Sequence, residues 1–260
     1  MVRPQGPNRS KGISVKDLDF SGKRALVVGG SSGIGNGIAH AFLDRGAVVH
    51  VTGTRASADQ YDAASGSDLA GLNYSQLNVS DTSAVESWTP AFDTLDILVL
   101  CQGVVEYRRA EFQMETFRRV VEVNLNSLMA CAVKFQPMLA KAKGSLITVS
   151  SAGGIRTTRG NPAYAASKAG AIHLTATLAD AWAGQGIRVN GVAPGLVATK
   201  MTEVTVADPE RLAERLKGIP IRRLGEIKEI AGVVLFLASP LSGYVVGQTI
   251  VSDGGRTLSS

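Results

Sequence analysis

Cysteine, histidine and aromatic side chains are scarce in this 260-residue chain, and each scarcity narrows what the protein can do. Two cysteines, Cys101 and Cys131, cannot build a disulfide framework, and both sit in apolar stretches, as the reduced thiols of a cytoplasmic protein do. The three histidines, His40, His50 and His173, stand far apart, and no Cys/His/Asp group has ligand spacing, so no metal is expected. Apolar runs stay well short of the roughly 18 residues a membrane span requires. The opening stretch from Met1 to Ser10 has no apolar core of the kind a secretory signal needs. Residues 1–14 read as a flexible tail ahead of one domain over 15–260. The net charge is +5, yet no Lys/Arg block exceeds a pair, so nucleic acid is not an expected partner and the surplus supports only a mild attraction for anions such as phosphates.

What remains is an ordinary globular composition, 45% apolar and 19% charged, on a chain long enough to bury one sizeable core. Strand-like runs at 24–28, 47–52, 72–78, 96–101, 145–149, 187–193 and 248–252 alternate with helical periodicity near 34–45, 81–91, 113–141, 162–184, 203–217 and 226–238. Such alternation predicts an α/β protein: a doubly wound, seven-stranded parallel sheet flanked by helices, of Rossmann type. Ala56 to Gly71, rich in Ala, Ser, Gly and Asp, reads as a shortened connection rather than a full helix. In such sheets ligands bind beyond the carboxyl ends of the strands. Those ends carry Gly29, Gly53, Asn78, Gly103, Ser151 and Pro194.

The first strand, Ala25-Leu26-Val27-Val28, runs into Gly29-Gly30-Ser31-Ser32-Gly33-Ile34-Gly35 and then into Ile38, Ala39, Phe42 and Leu43 at helical spacing. Strand, glycine turn and helix in that order suit a dinucleotide: glycines admit the backbone close to a pyrophosphate, and the helix N-terminus faces its charge. The spacing here is Gly-x-x-x-Gly-x-Gly rather than the commoner Gly-x-Gly-x-x-Gly. Much further on, Tyr164 and Lys168 stand at i and i+4 on one face of a helix, thirteen residues beyond Ser151. A phenol ordinarily ionises near pH 10, and an ammonium beside it is expected to lower that value into a range useful for acid/base work on a carbonyl or alcohol oxygen. Nothing resembling a nucleophile elbow surrounds Ser151, which argues against a hydrolase.

With these motifs in this order, the chain resembles the short-chain dehydrogenases/reductases over roughly Asp19 to Gly255. The resemblance also takes in Asn124 in Val123-Asn124-Leu125-Asn126, Pro194-Gly195 followed by Thr199, and the closing Gly247-Gln248 with Asp253-Gly254-Gly255. It implies an NAD(P)(H)-dependent oxidoreductase that interconverts a ketone and a secondary alcohol. In that division of labour Tyr164 passes the proton, Ser151 orients the substrate oxygen, and Lys168 lowers the tyrosine pKa and bonds the nicotinamide ribose. Asn124 holds a water that links the lysine to solvent. The implied dinucleotide contacts are Gly29, Ser31, Ser32, Gly33, Ile34, Gly35, Thr54, Arg55, Asn78, Val79, Gly103, Tyr164, Lys168, Pro194, Gly195, Val197 and Thr199. A homotetramer paired through the helices at 113–141 and 162–184 is also implied.

Two departures matter. The Asn-Asn-Ala-Gly usual after the fourth strand is Leu100-Cys101-Gln102-Gly103 here, and the threonine usual at the start of the glycine turn is Val28. Cofactor choice turns on the end of the second strand, where a carboxylate would bond the ribose diol of NAD. That position is Gly53, followed by Thr54 and Arg55, so NADP is favoured over NAD. The closest-looking subgroup is the 3-oxoacyl-carrier-protein reductases; sugar-alcohol or hydroxysteroid dehydrogenases are the alternative within the class. A catalytically idle nucleotide-binding regulatory protein is the alternative outside it.

Overall fold

Every predicted strand pairs parallel to its neighbours. The structure, a computed structural model, describes residues 14–258. Seven strands, β1 Arg24–Val28, β2 Val48–Gly53, β3 Asn73–Gln76, β4 Ile97–Leu100, β5 Ser145–Val149, β6 Arg188–Pro194 and β7 Thr249–Ser252, form one sheet in the order β3-β2-β1-β4-β5-β6-β7. The order reverses between β1 and β4, which pair from Ala25 opposite Ile97 to Val28 opposite Leu100. A crevice therefore opens beyond their carboxyl ends, at the switch point where doubly wound sheets take ligands.

Both faces of the sheet are covered, which is why its central strands read as unbroken apolar runs. On one face Ala25, Val27, Val99, Ile147 and Val192 pack against Ile38, Ala39 and Phe42 of α1 Gly33–Leu43 and against Ile230, Val234 and Leu235 of α8 Ile227–Ala238. On the other, Leu26, Val28, Leu98, Leu100 and Leu146 meet three helices. These are α2 Thr82–Ser87 through Val85, α4 Ser127–Ala142 through Leu128, Phe135 and Leu139, and α5 Pro162–Trp182 through Ala171 and Leu178.

Three helices depart from the sequence pattern, each for a local reason. Residues 81–91 are helical only over α2; Asp81 caps its start, and Trp88 is already extended two residues before Pro90. The run predicted at 113–141 is α3 Met114–Val121 and then α4, joined by a π-turn at Glu122–Asn126 that carries Asn124. The run at 203–217 divides into α6 Glu203–Val206 and α7 Pro209–Lys217, because Pro209 starts a new first turn and Asp208 accepts the Arg211 N–H at 3.0 Å. Between β2 and β3 only two short turns form, Ala58–Gln60 and Ala63–Ser65. The tail expected over 1–14 lies outside the described residues except for Ser14, whose N–H donates to the Asp17 carboxylate at 2.6 Å. No helix among the described residues is long and apolar enough to cross a membrane.

Candidate active site

The glycine turn is as tight as its composition suggests. Gly29 has φ +76° and leans on the end of β4 so closely that a Cβ there would stand 2.8 Å from the Gln102 amide nitrogen. A Cβ on Gly35 would overlap the Gly29 carbonyl oxygen, so α1 can spring from the turn only with glycine at that position. Around this turn a cavity of about 370 Å³ runs along the strand ends. Gly29, Ser31, Ser32, Gly33, Ile34, Gly35, Thr54, Val79, Gly103, Pro194, Gly195, Val197 and Thr199 all line it, together with Ser151, Tyr164 and Lys168. An elongated cleft with the helix N-terminus at one end and a phenol and an amine at the other fits a dinucleotide. The group would lie with its pyrophosphate on Ser32–Gly35 and its nicotinamide toward Tyr164.

Two expected contacts stand apart from this cavity. Asn78 spends its side-chain oxygen on the Ser80 N–H and hydroxyl, at 3.2 and 2.8 Å. Arg55 lies beyond Thr54, its guanidinium 4.6 Å above the Tyr61 ring, and Tyr61 also sits against Ser31. A Cβ on Gly53 would overlap the Tyr61 hydroxyl and approach the Ser31 Oγ to 2.5 Å. Absence of a carboxylate at this strand end is thus also a matter of space. Lys200, Met201 and Thr202 line the cavity without having been foreseen, and Lys200 Nζ donates to Ser65 Oγ at 3.0 Å across its mouth.

Ser151, Tyr164 and Lys168 are brought together by the junction of β5 with α5. The turn at Ala152–Gly154 lies directly on the helix backbone: a Cβ on Gly154 would come within 2.6 Å of the Lys168 carbonyl carbon. Ser150 Oγ donates to the Lys168 carbonyl at 2.7 Å, and Thr148 and Thr175 share a 2.6 Å hydrogen bond deeper in the same seam. Ser151 caps its own turn through Gly153 N–H at 3.0 Å and hydrogen-bonds the Tyr164 phenol. Lys168 is 4% exposed; its Nζ donates to the Val149 carbonyl at 3.0 Å and lies 5.9 Å from the Tyr164 ring centroid.

Burial dominates the electrostatics here. It pushes the Lys168 ammonium down to about 8 and raises the Tyr164 phenol above its ordinary value, against the opposing pull of the Ser151 hydrogen bond. The expectation that Lys168 lowers the tyrosine pKa therefore fails for the chain alone: both groups are displaced toward their neutral forms, because both lose water. Cys101, which takes the place of an expected asparagine, is a thiol raised to about 11 by burial beside Lys168. Gln102 turns inward, donating to Ser127 Oγ at 3.1 Å and leaving its own Oε1 buried without a partner.

Asn124 lies beneath the cavity wall, fully buried in the π-turn. Its Oδ1 accepts the Val104 N–H at 2.7 Å, and its Nδ2 donates to the Val104 carbonyl at 2.9 Å and to Ser167 Oγ at 3.1 Å. The side chain is thus a brace between the loop after β4 and α5. A Cβ on Gly103 would stand 3.3 Å from Lys168 Nζ and 3.5 Å from Asn124 Oδ1, so this glycine keeps a gap open between the two.

A second brace has no motif to announce it. Glu111 is 0% exposed, yet its carboxylate accepts the Tyr164 N–H at 2.9 Å, the Glu106 N–H at 3.0 Å and Asn161 Nδ2 at 3.3 Å. Placed on the first turn of α5, it satisfies amides the helix cannot and complements the helix dipole.

Among known proteins, residues 28–257 match the family model described as enoyl-(acyl carrier protein) reductase. The chain is 37% identical over 248 residues to the 3-oxoacyl-[acyl-carrier-protein] reductase of Chlamydia pneumoniae, covering 93% of this chain and 99% of that one. It is 32% identical, with a TM-score of 0.83, to a candidate NAD(P)-dependent gluconate 5-dehydrogenase from Beutenbergia cavernae solved with bound NADP at low occupancy, covering 94% and 100%. It is 31% identical, with a TM-score of 0.81, to a candidate 2-deoxy-D-gluconate 3-dehydrogenase from Agrobacterium tumefaciens with bound NADP, covering 93% and 99%.

Glu111→Ala should strand the Tyr164 and Glu106 N–H groups and cost about 1–3 kcal/mol in chemical denaturation. It should also lower kcat more than it changes dinucleotide affinity, because the lost contact is to the backbone of Tyr164. Wild-type stability with wild-type kcat would show that Glu111 holds nothing in place.

Proposed function

The chain belongs to the short-chain dehydrogenase/reductase family, and from that membership we propose that it interconverts a ketone and a secondary alcohol, with NADP as hydride carrier. The observation that supports this most is the convergence of Ser151, Tyr164 and Lys168 on one end of a cleft suited to a dinucleotide. The cofactor supplies or accepts the hydride; the protein's share is position and protons.

Tyr164 is the proton donor in reduction. Its raised pKa keeps the phenol protonated at neutral pH, the form a ketone reduction requires. Ser151, bonded to that phenol, orients the substrate oxygen beside it. Lys168 supplies a proton reservoir near neutrality and a donor for the ribose, and Asn124 keeps the lysine's surroundings fixed through Val104 and Ser167. Alcohol oxidation reverses the roles, with Tyr164 accepting the proton.

NADP fits the end of β2 better than NAD. No carboxylate stands there, and Arg55, on the rim beyond Thr54, has its guanidinium in no salt bridge among the described residues and can meet a 2′-phosphate. The two related structures named above carry NADP, and the relative from Chlamydia pneumoniae reduces a 3-oxoacyl group. We read the protein as a cytoplasmic, single-domain enzyme that assembles as a homotetramer. Support comes from Met129 (41% exposed) and Val133 (52%) on the outer side of α4, and from Val246 and Val251 near the β7 edge.

Tyr164→Phe removes the donor and little volume, so kcat should fall by about 10²-fold or more while NADPH binding, followed by fluorescence, stays near wild type. A loss under tenfold would contradict the assignment. Position 53 has no room for an added carboxylate, which makes Arg55 the cleaner handle on cofactor choice. Arg55→Ala should lower kcat/KM with NADPH by about tenfold or more and leave NADH unaffected. An equal effect on both cofactors would mean that Arg55 reads no phosphate.

A further inference from the structure

Beyond Ser151 and Tyr164, away from the dinucleotide cleft, lies a second cavity of about 480 Å³. The two cavities share Ser151, Tyr164, Pro194, Gly195, Met201 and Thr202, so the second is where a substrate oxygen would approach the phenol. Four arginines line it, Arg156, Arg159, Arg215 and Arg256, and no aspartate or glutamate does.

Three of these come from distant parts of the chain and are tied to one another. Arg156, in the loop after β5, donates through Nη1 to the Arg256 carbonyl at 2.5 Å. Arg256, in the turn after β7, reaches the Arg215 carbonyl on α7 at 3.4 Å and passes over Gly218, where a Cβ would stand 3.3 Å from its Nη1. The charges are not compensated within the chain: among the described residues, none of the three enters a salt bridge. The carboxylates nearby are already engaged. Asp253 accepts the Gly255 and Thr257 N–H groups at 2.9 and 2.6 Å, Glu111 holds α5, and Glu214 and Asp208 pair with Lys217 and Arg211. Arg211 and Lys217 are thus paired on α7, while Arg215, also exposed, lines the cavity rim without a carboxylate partner. Burial and the neighbouring Arg215 and Arg156 charges hold the Arg256 guanidinium below its usual value, and the Asp253 carboxylate only partly offsets them.

We propose that this arginine cluster binds the carboxylate of the substrate, so that the enzyme acts on keto acids and their hydroxy-acid counterparts. The assignment rests on the oxidoreductase reading, because Ser151 and Tyr164 form the wall the two cavities share. A carboxylate is the ligand that planar guanidiniums grip in bidentate fashion, and it relieves the mutual repulsion of the three. Arg156 and Arg256 are half-buried beside Ser151 and Tyr164 while Arg215 stands exposed at the rim, a placement that brings a small-molecule anion within reach of the phenol.

The test compares acetoacetate, levulinate and 5-oxohexanoate with their methyl esters in NADPH-dependent reduction by wild type and Arg215→Gln. Arg215 makes no side-chain hydrogen bond among the described residues, so its loss should leave the fold intact. At least one acid should exceed its ester by tenfold or more in kcat/KM. Arg215→Gln should cost the acid about 10–100-fold, chiefly in KM, and the ester less than threefold. Equal turnover of every acid and ester, an equal loss on both, or a preference for a neutral 3-oxoacyl thioester untouched by the substitution would each overturn the proposal. If no carbonyl compound turns over, the oxidoreductase reading fails, and carboxylate binding is read separately by thermal shift of the NADPH-saturated protein with millimolar levulinate. Stabilisation of wild type but not of Arg215→Gln supports the cluster; no shift in either overturns it.

Discussion

Burying the Lys168 amine without a carboxylate partner is the constraint around which the rest of the site is arranged. Taking an ammonium out of water disfavours its charge, and the one hydrogen bond within reach, to the Val149 carbonyl, does not restore what hydration gave. The amine consequently sits near the point where it can hold or release a proton at neutral pH. Tyr164 experiences the same desolvation in the opposite sense, since its neutral form is the one burial favours. The family resemblance implies an ammonium that lowers the phenol. In this chain alone, water exclusion outweighs that attraction.

Such a pair works only if held still, and the fold supplies the holding from several directions. Ser150, Thr148 and Gly154 press the end of β5 onto α5, Asn124 braces the helix from below, and Glu111 anchors its first turn. Because the strands end together, the glycine turn and the Tyr164–Lys168 pair face one cleft, and the arginine-lined cavity opens from the other side of the same phenol. In the proposed reaction, hydride and proton then reach opposite atoms of one carbonyl while the remainder of the substrate meets positive charge.

Much of this was legible in the sequence for local reasons. Unbroken apolar runs marked the central strands, their alternation with period-3.6 helical patterning marked the sheet and most helices, and glycine spacing marked the dinucleotide turn, because these features depend on neighbours along the chain. What escaped depends on neighbours in space. Glu111 reads as one more surface acid until α5 is laid across it. Arg156, Arg215 and Arg256 are separated by 59 and 41 positions, so no window joins them. Tyr61 fills the space beside Gly53 only after the connection to β3 folds back over Ser31. Likewise the π-turn at Asn124 leaves no trace in hydrophobic periodicity, and the helix at 203–217 read as continuous although Pro209 was in plain view.

The central claim, that desolvation sets the proton chemistry of the Tyr164–Lys168 pair, is tested most directly by titrating Lys168 itself. Lysine Nζ resonances of the protein without dinucleotide, assigned by comparison with Lys168→Arg, should show one group with an apparent pKa of about 8 against a usual value of 10.5. Between those two values the unfolded chain binds the extra proton at Lys168, so this group contributes stability that rises with pH across that window. The buried Cys101 and Cys131 thiols, raised to about 11 and about 12, contribute the opposite slope above about pH 9, so the Lys168 contribution is read as the stability of wild type minus that of Lys168→Met, which should rise from pH 8 to 10.5. A Lys168 resonance titrating with the other lysines near 10.5, and a stability difference between wild type and Lys168→Met that stays flat from pH 8 upward, would contradict the account.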